Sequence, residues 1–429
     1  MLKRKSLIVI LLSLILLVAC QAPNANPSSG SSSESNRGKK ELTVWHIESQ
    51  GGEPGLKDAV KRFEDKHPGV SVKLIKQEND PYKSKLVVAM GGGNPPDVFH
   101  SWGGGWLKNF VDAGQVRDIT NDIDKDSYLE AALSESTFDG KVYGAPVGMN
   151  VVPVWYNKKI FKKYNIEEPK TYEELLKVIK TLKANDVIPF SLANKSKWTG
   201  AFYLMYFAER FGGPDLFNEA FRRTGRTFDD KAYIEAGRKI QELVKLGAFP
   251  EGMNGMNYDT GQSRQLIYTE KAAMEVMVSS YLGNVRKEFP EIEKDIGFFL
   301  FPAVTGGKGA KNHVVGGISP VFSVSEKSEN ADLAVELVKE LSSKETAEKL
   351  ANMKGTISAV KGVSYEDEYT EKLSKVLEDA EYLQTFYDQT LPPELAEVHL
   401  NTTQALFGLS ITPEEAAAKV EEKAKEVLE

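Results

Sequence analysis

An α/β fold with more than one hydrophobic core is predicted for this chain by three observations. Short segments of alternating apolar residues are separated by segments of helical apolar periodicity, the pattern of a sheet with crossover connections. About 390 residues follow Glu41, more than one core usually serves, so two domains are expected. The composition, 41% hydrophobic and 27% charged, is that of an ordinary globular chain, so this length reads as cores and not as disorder.

The N-terminus stands apart. Lys3, Arg4 and Lys5 precede the run Leu11-Leu12-Ser13-Leu14-Ile15-Leu16-Leu17-Val18-Ala19, whose apolar core of about a dozen residues is too short to span a bilayer comfortably. Residues 1–19 therefore read as an export signal. Leu17-Val18-Ala19-Cys20 resembles the lipobox of bacterial lipoproteins, in which the thiol takes a diacylglycerol and becomes residue one. Cys20 is the only cysteine in the chain, so its placement at the cut is unlike chance and no disulfide is available. Residues 20–40, with Pro23, Pro27 and Ser28-Ser29-Gly30-Ser31-Ser32-Ser33, form a spacer expected to be disordered. No second apolar stretch is long enough for a membrane, so a tethered soluble body is expected on the extracytoplasmic face, with the long linker and Lys-rich chain suggesting a Gram-positive surface. Loss of the three basic residues with the signal moves the formal charge from −7 to −10. That acidity argues against nucleic acid as a partner.

From Leu42 to Ile47 the chain alternates as a strand ending at Gly51-Gly52. A helix then starts at Gly55 or Leu56, with Val60 and Phe63 on one face, and stops at His67-Pro68-Gly69. Val70 to Ile75 is a second strand. Tyr82 to Met90 is a helix with Leu86, Val87 and Met90 inward, and Asp97-Val98-Phe99 is a third strand. Ligands in such sheets sit beyond the strand carboxyl ends. Trp45 and His46 close the first strand, Asn79 and Asp80 follow the second, and Ser101-Trp102-Gly103-Gly104-Gly105-Trp106 follows the third. In the last segment the glycines let backbone approach a ligand while an indole offers a flat face to a sugar ring. Trp102 is the stacking candidate; Trp106, one turn before Phe110, reads as core.

Further on, Thr171 to Leu182 is an amphipathic helix with a Thr171/Glu174 capping box, and Ile188 to Ser191 is a strand. Trp198 lies just past it, either a second stacking residue or the core lead of the helix carrying Phe202, Tyr203, Tyr206 and Phe207. Ala272 to Val278 is a buried strand with Ser279-Ser280-Tyr281 at its outlet. Thr305-Gly306-Gly307-Lys308-Gly309 is a turn, since it lacks phosphate-loop spacing. Gly316, in Val314 to Ser319, either admits backbone amides to a ligand or simply starts a strand. Gln384 to Gln389 reads as an exposed helix end, and Ala416 to Leu428 as a terminal helix with Val420 and Val427 inward. Asp122, Asp124 and Asp126 imitate a calcium loop, but Ser127 and Leu133 replace its glycine and bidentate Glu, so a solvated loop is expected, with adventitious calcium as the lesser alternative and no assigned metal site. No catalytic motif is visible, and the five histidines are scattered. No cofactor is expected.

The order Gly91-Gly92-Gly93-Asn94-Pro95-Pro96-Asp97-Val98, Phe138 to Pro146, Val154-Trp155-Tyr156-Asn157-Lys158, Thr171 to Leu175, Leu391 to Leu395 and Ile411 to Ala416 resembles the family 1 extracellular solute-binding proteins. These are sugar receptors of ABC importers, similar to maltose-binding protein. The resemblance covers essentially everything after the linker. It implies the two-lobed periplasmic-binding-protein fold, class II, with a hinge and an interlobe ligand cleft. Lobe one would be 41–147 plus 313–360, and lobe two 148–312 plus 361–429, with crossings near Gly148-Met149-Asn150 and Gly306 to Lys311. It also brings Tyr387 and Asp388 near the cleft, and puts Tyr281 where family members often carry a Trp. The ligand candidates are then Trp45, His46, Glu48, Asn79, Asp80, Ser101, Trp102, Asn150, Trp198, Tyr281, Gly316 and Asp388. The implied function is capture of a di- or oligosaccharide for an ABC permease by a lipid-anchored monomer. The alternative is a surface-anchored glycoside hydrolase, with a carboxylate pair drawn from Glu48, Asp80 and Asp388. Scarce basic residues at the strand outlets argue against an anionic ligand.

Overall fold

The computed structural model describes residues 40–48 and 51–428. Cys20, the signal segment 1–19 and the linker up to residue 39 lie outside the described residues. Lys40, assigned above to the linker, instead opens the first strand, Lys40–His46.

Three main sheets organise the chain. The first runs in the order Val70–Lys76, Lys40–His46, Val98–Ser101, Val321–Val324, Ala145–Pro146. Its first three strands are parallel, with Trp45 beside Ile75 on one side and Phe99 on the other. The helix Glu53–Lys66 makes the first crossover and buries Leu56, Val60 and Phe63. It begins two residues before the sequence expectation because Pro54 fits a first helical turn, where its missing N–H costs nothing. The second helix likewise starts early, at Asn79, and runs to Gly92 with Gly93 in the left-handed conformation at its end. Its inward stripe is Tyr82, Leu86 and Met90. Val87, expected inward, is exposed, as is Val88.

The second sheet runs Ile296–Phe299, Val154–Asn157, Ala272–Val276, Ile188–Ser191. Over it pack the capped helix Tyr172–Lys183, in which both halves of the Thr171/Glu174 box form, and the long helix Trp198–Gly212. The third sheet, Ile357–Ser358, Gly148–Val151, His313–Ile318, Tyr382–Thr385, contains the first expected crossing segment and pairs it with His313–Ile318, which begins two residues after the second one expected, 306–311. Gly317 stands opposite Asn150 and Ile318 opposite Met149. The glycine run 306–309 is not part of that sheet: Gly309 and Lys308 donate their N–H groups to the Arg210 carbonyl at 3.0 and 2.9 Å.

Burial follows the sheets. One cluster gathers Leu42, Leu56, Phe63, Val98, Phe322 and Leu337, and a smaller one Tyr82, Phe99, Trp106 and Phe110. A larger cluster holds Trp155, Phe190, Tyr203, Phe207, Tyr281 and Phe301. The fold is two-lobed α/β, and a cleft opens where the strand ends of the first two sheets meet the third.

Candidate functional site

A cavity of about 310 Å³ lies in that cleft. Of the twelve ligand candidates, six line it: Glu48, Asn79, Trp102, Asn150, Trp198 and Asp388. Each arrives by a different element, and two of the aromatic residues on the lining are tryptophans. Trp102 follows the third strand and is held edge-on by Tyr82 at 6.0 Å, His100 at 4.9 Å and Trp106 at 5.0 Å, with the Lys83 ammonium 4.9 Å from its ring centre. Trp198 opens its helix and meets Tyr258 at 4.9 Å and Phe202 at 5.7 Å. Its indole N–H is buried without a protein acceptor. Both readings of Trp198 therefore hold together, since it packs on the helix and also faces the cavity. Trp106 is core, as expected.

The polar groups are graded by how engaged they are. Asn150 accepts from the Ser279 hydroxyl and the Ser280 N–H, both at 3.0 Å, which fixes the amide and leaves its nitrogen as a donor. Asn79 donates to Asp80 at 3.2 Å. Glu48 is paired with Lys354, and Asp388 with Lys83 at 3.2 Å. Lysines thus hold two of the three carboxylates considered for hydrolysis.

The other six candidates are placed elsewhere, each for a physical reason. Strand alternation turns His46 into the interior, fully buried beside His100, and Trp45 against the small aromatic cluster. The strand ends at His46, and the two residues that follow it, Ile47 and Glu48, are the ones that line the cavity. Burial lowers the His46 imidazole and drives His100 well below the ordinary histidine range, so both are neutral. Ser101 is buried in its strand. Asp80 sits in the first turn of the helix Asn79–Gly92, where the helix dipole favours its charge, and does not line the cavity. Tyr281 is fully buried against Trp155 at 5.5 Å, because the helix Tyr281–Glu288 turns it inward and presents Ser280 and Asn284 instead. Gly316 belongs to the strand His313–Ile318, where an added Cβ would lie 2.4 Å from the Asn150 carbonyl; it permits strand pairing, not ligand approach. Similarly, Gly104 and Gly105 make room for the carbonyls of Gln389 and Thr390, not for a ligand. Tyr387 and Asp388 are not an exposed helix end: they are 1% and 7% exposed.

Sequence reasoning missed Tyr258, Asp259, Arg264, Asn284, Lys287 and Glu288, which form one wall. Arg264 grips Glu288 with two hydrogen bonds at 2.8 and 2.6 Å and packs 4.8 Å from the Tyr258 ring. The spacing of Ser280, Asn284 and Lys287 is one helical face and was a readable signal. Basic residues are not scarce either. Lys76, Lys83, Lys354 and Arg264 line the cavity, but each is paired with a carboxylate, to Glu78, Asp388, Glu48 and Glu288 respectively. Lys287 also lines the cavity, and among the described residues no carboxylate pairs with it, so four of the five cations are cancelled locally. Asp124 caps the turn Lys125–Ser127, and among the described residues no three acidic, His or Cys side chains gather to hold a metal.

The model of the bacterial extracellular solute-binding protein family matches residues 49–348. The multiple sugar-binding protein of Streptococcus mutans is 25% identical over 362 residues, covering 82% of this chain and 81% of that protein. The melibiose/raffinose/stachyose-binding protein of Bacillus subtilis is 26% identical over 312 residues, covering 71% and 69%. Among solved structures, one from work on xylan utilization by Caldanaerobius polysaccharolyticus superposes with a TM-score of 0.82 at 28% identity, covering 89% of this chain and 99% of that one. A chitin oligosaccharide binding protein gives 0.81 at 26%, covering 90% and 99%. These matches bear out the resemblance read from the motif order and set the hydrolase alternative aside. The chain's function is solute binding and not catalysis, and it belongs to the bacterial extracellular solute-binding proteins.

Proposed function

We propose that this protein captures a neutral di- or oligosaccharide between Trp102 and Trp198 and delivers it to an ABC import permease. The observation that carries the reading is the pair of indoles on one cavity of about 310 Å³, with the Asn150 amide nitrogen and Asn79 beside them. Sugar rings present C–H faces to aromatics and hydroxyls to amides and carboxylates, and a ligand longer than one ring is needed to use both indoles. The relatives named for binding multiple sugars, melibiose, raffinose and stachyose, and chitin oligosaccharides support the same class. Pairing of Lys76, Lys83, Lys354 and Arg264 with carboxylates, and the balance of Lys287 by Asp259 on the same lining, favour a neutral cargo.

In this reading lobe one is 41–147 plus 313–360 and lobe two 148–312 plus 361–429. The cluster of Leu42, Phe63 and Phe322, whose buried residues all fall within lobe one, supports the division, although the larger cluster draws on both, and the paired segments Gly148–Val151 and His313–Ile318 are the hinge. The remaining assigned ligand contacts are Glu48, Asn79, Asn150 and Asp388. Binding selects the closed form, which the permease distinguishes from the open one. Lipid on Cys20 holds the monomer at the extracytoplasmic membrane face.

A thermal-shift screen tests the reading. Raffinose, stachyose, maltotriose, xylotriose and diacetylchitobiose are the probes, and a bound sugar at about a hundred times its Kd adds roughly 2.7 kcal/mol of stability. At least one probe is expected to raise the melting temperature. No shift with any of them would count against a carbohydrate cargo.

A further inference from the structure

We propose that Asp259 is the carboxylate that anchors the sugar's hydroxyl groups, and that its ionisation sets the acid limit of ligand binding. This rests on the carbohydrate reading above and adds a residue and a specificity rule to it.

The four other carboxylates on the cavity are each tied to a lysine or arginine. Asp259 differs: among the described residues, no hydrogen bond or ion pair reaches its side-chain oxygens. Its backbone is nonetheless fixed, because its N–H donates to Asn257 Oδ1 at 2.8 Å. Tyr258, immediately before it, is packed between Trp198 and the Arg264 guanidinium. A half-buried acceptor is therefore held on the lining of the cavity that Trp198 shares, one residue from the Tyr258 ring, with its hydrogen-bonding capacity unused.

An ionised carboxylate accepts and cannot donate, and its two oxygens match two neighbouring hydroxyls of a sugar ring. A sugar lacking or methylated at one of those hydroxyls leaves the charge short of a partner and is rejected about tenfold or more.

The groups facing Asp259 come from both sides of the cleft. Asp80 and Glu78, at the start of the helix Asn79–Gly92, oppose its charge, while Arg264 and Lys76 favour it. Desolvation is the largest influence, and with the two like charges it pushes the carboxyl up to about 6. Hydroxyl donors favour the ionised form, so the bound value lies lower than the free one. Affinity is then complete above pH 6 and falls as pH drops through 6.

The test is calorimetric titration with the five sugars named above at pH 7.5 and 5.0. The wild type is expected to bind its sugar about tenfold more weakly at pH 5.0. Asp259→Asn, of the same size, is expected to lose about tenfold at pH 7.5 and to show a flat pH profile. Asp80→Asn removes a like charge and is expected to move the acid midpoint downward, which a purely structural Asp259 would not allow. Equal affinities for D259N and wild type at both pH values would overturn the inference alone. Failure of the wild type to bind any of the five sugars would instead overturn the carbohydrate reading, and this inference with it.

Discussion

Lys354 Nζ lies 2.5 Å from Glu48 Oε2, and both side chains are nearly fully buried, at 9% and 3% exposure. The contact ties the outlet of the first strand to the end of the helix Lys344–Lys354 across 306 residues of chain, on the cavity wall. Two desolvated charges in contact add little net stability, but removing one strands the other. Lys354→Met should therefore destabilise the protein by about 3–5 kcal/mol, measured by urea unfolding, and adding Glu48→Gln should recover part of the loss. A neutral single variant would mean that Glu48 finds another partner.

The three tryptophans of the cleft region separate by role. Trp102→Ala and Trp198→Ala should each weaken sugar affinity by roughly tenfold to a hundredfold, the loss of one stacking face. Trp106→Ala should act on stability instead, at about 3–5 kcal/mol, because Trp106 is core. Calorimetric titration and urea unfolding of the three variants distinguish the two effects.

Gly104 has a backbone φ of 58°, and a Cβ there would lie 2.5 Å from the Gln389 carbonyl. Gly104→Ala should cost about 1–3 kcal/mol through strain and displacement of the 389–391 segment. Because Asp388, which pairs with Lys83 on the cavity, adjoins that segment, sugar affinity should fall with it. Unchanged stability in G104A would show that the segment yields easily.

Glu275 is 1% exposed in the strand Ala272–Val276, and burial pushes its carboxyl up to about 7, with Ser263 and Arg264 partly offsetting. Its folded-state value is above the unfolded one, so its contribution is complete in acid and is lost as pH rises from about 4.5 through 7. Glu275→Gln should raise stability at pH 8 by up to about 3 kcal/mol and change little at pH 4, read by urea unfolding at both values. An equal gain at both would place the effect in packing and not in charge.

Much of the fold was legible because periodicity and caps are local: the Thr171/Glu174 box and the strands at Val70 and Ile188 formed as read. Strand outlets gave the right neighbourhood for the cleft but not the right side chains. The last two residues of the first strand, Trp45 and His46, turn into the interior, and the cavity takes the two residues after the strand, Ile47 and Glu48. Tyr281 was misplaced for the equivalent helical reason, its rotation inward bringing Asn284 out. The ion pairs that neutralise the cavity, Lys354 with Glu48 and Lys83 with Asp388, span some 300 residues and have no local signature. Gly103 to Gly105 drew notice for a genuine reason, close backbone approach, but the approaching backbone is the chain's own.

On the proposed function, the cavity between Trp102 and Trp198 binds an oligosaccharide without cleaving it. Titration calorimetry with stachyose and the other probes, followed by chromatography of the recovered sugar, tests it most directly. One sugar should bind at a single site per chain, return chemically unchanged, and lose its heat of binding in the double variant W102A/W198A. Undiminished binding by that double variant, or recovery of a cleaved sugar, would contradict the account.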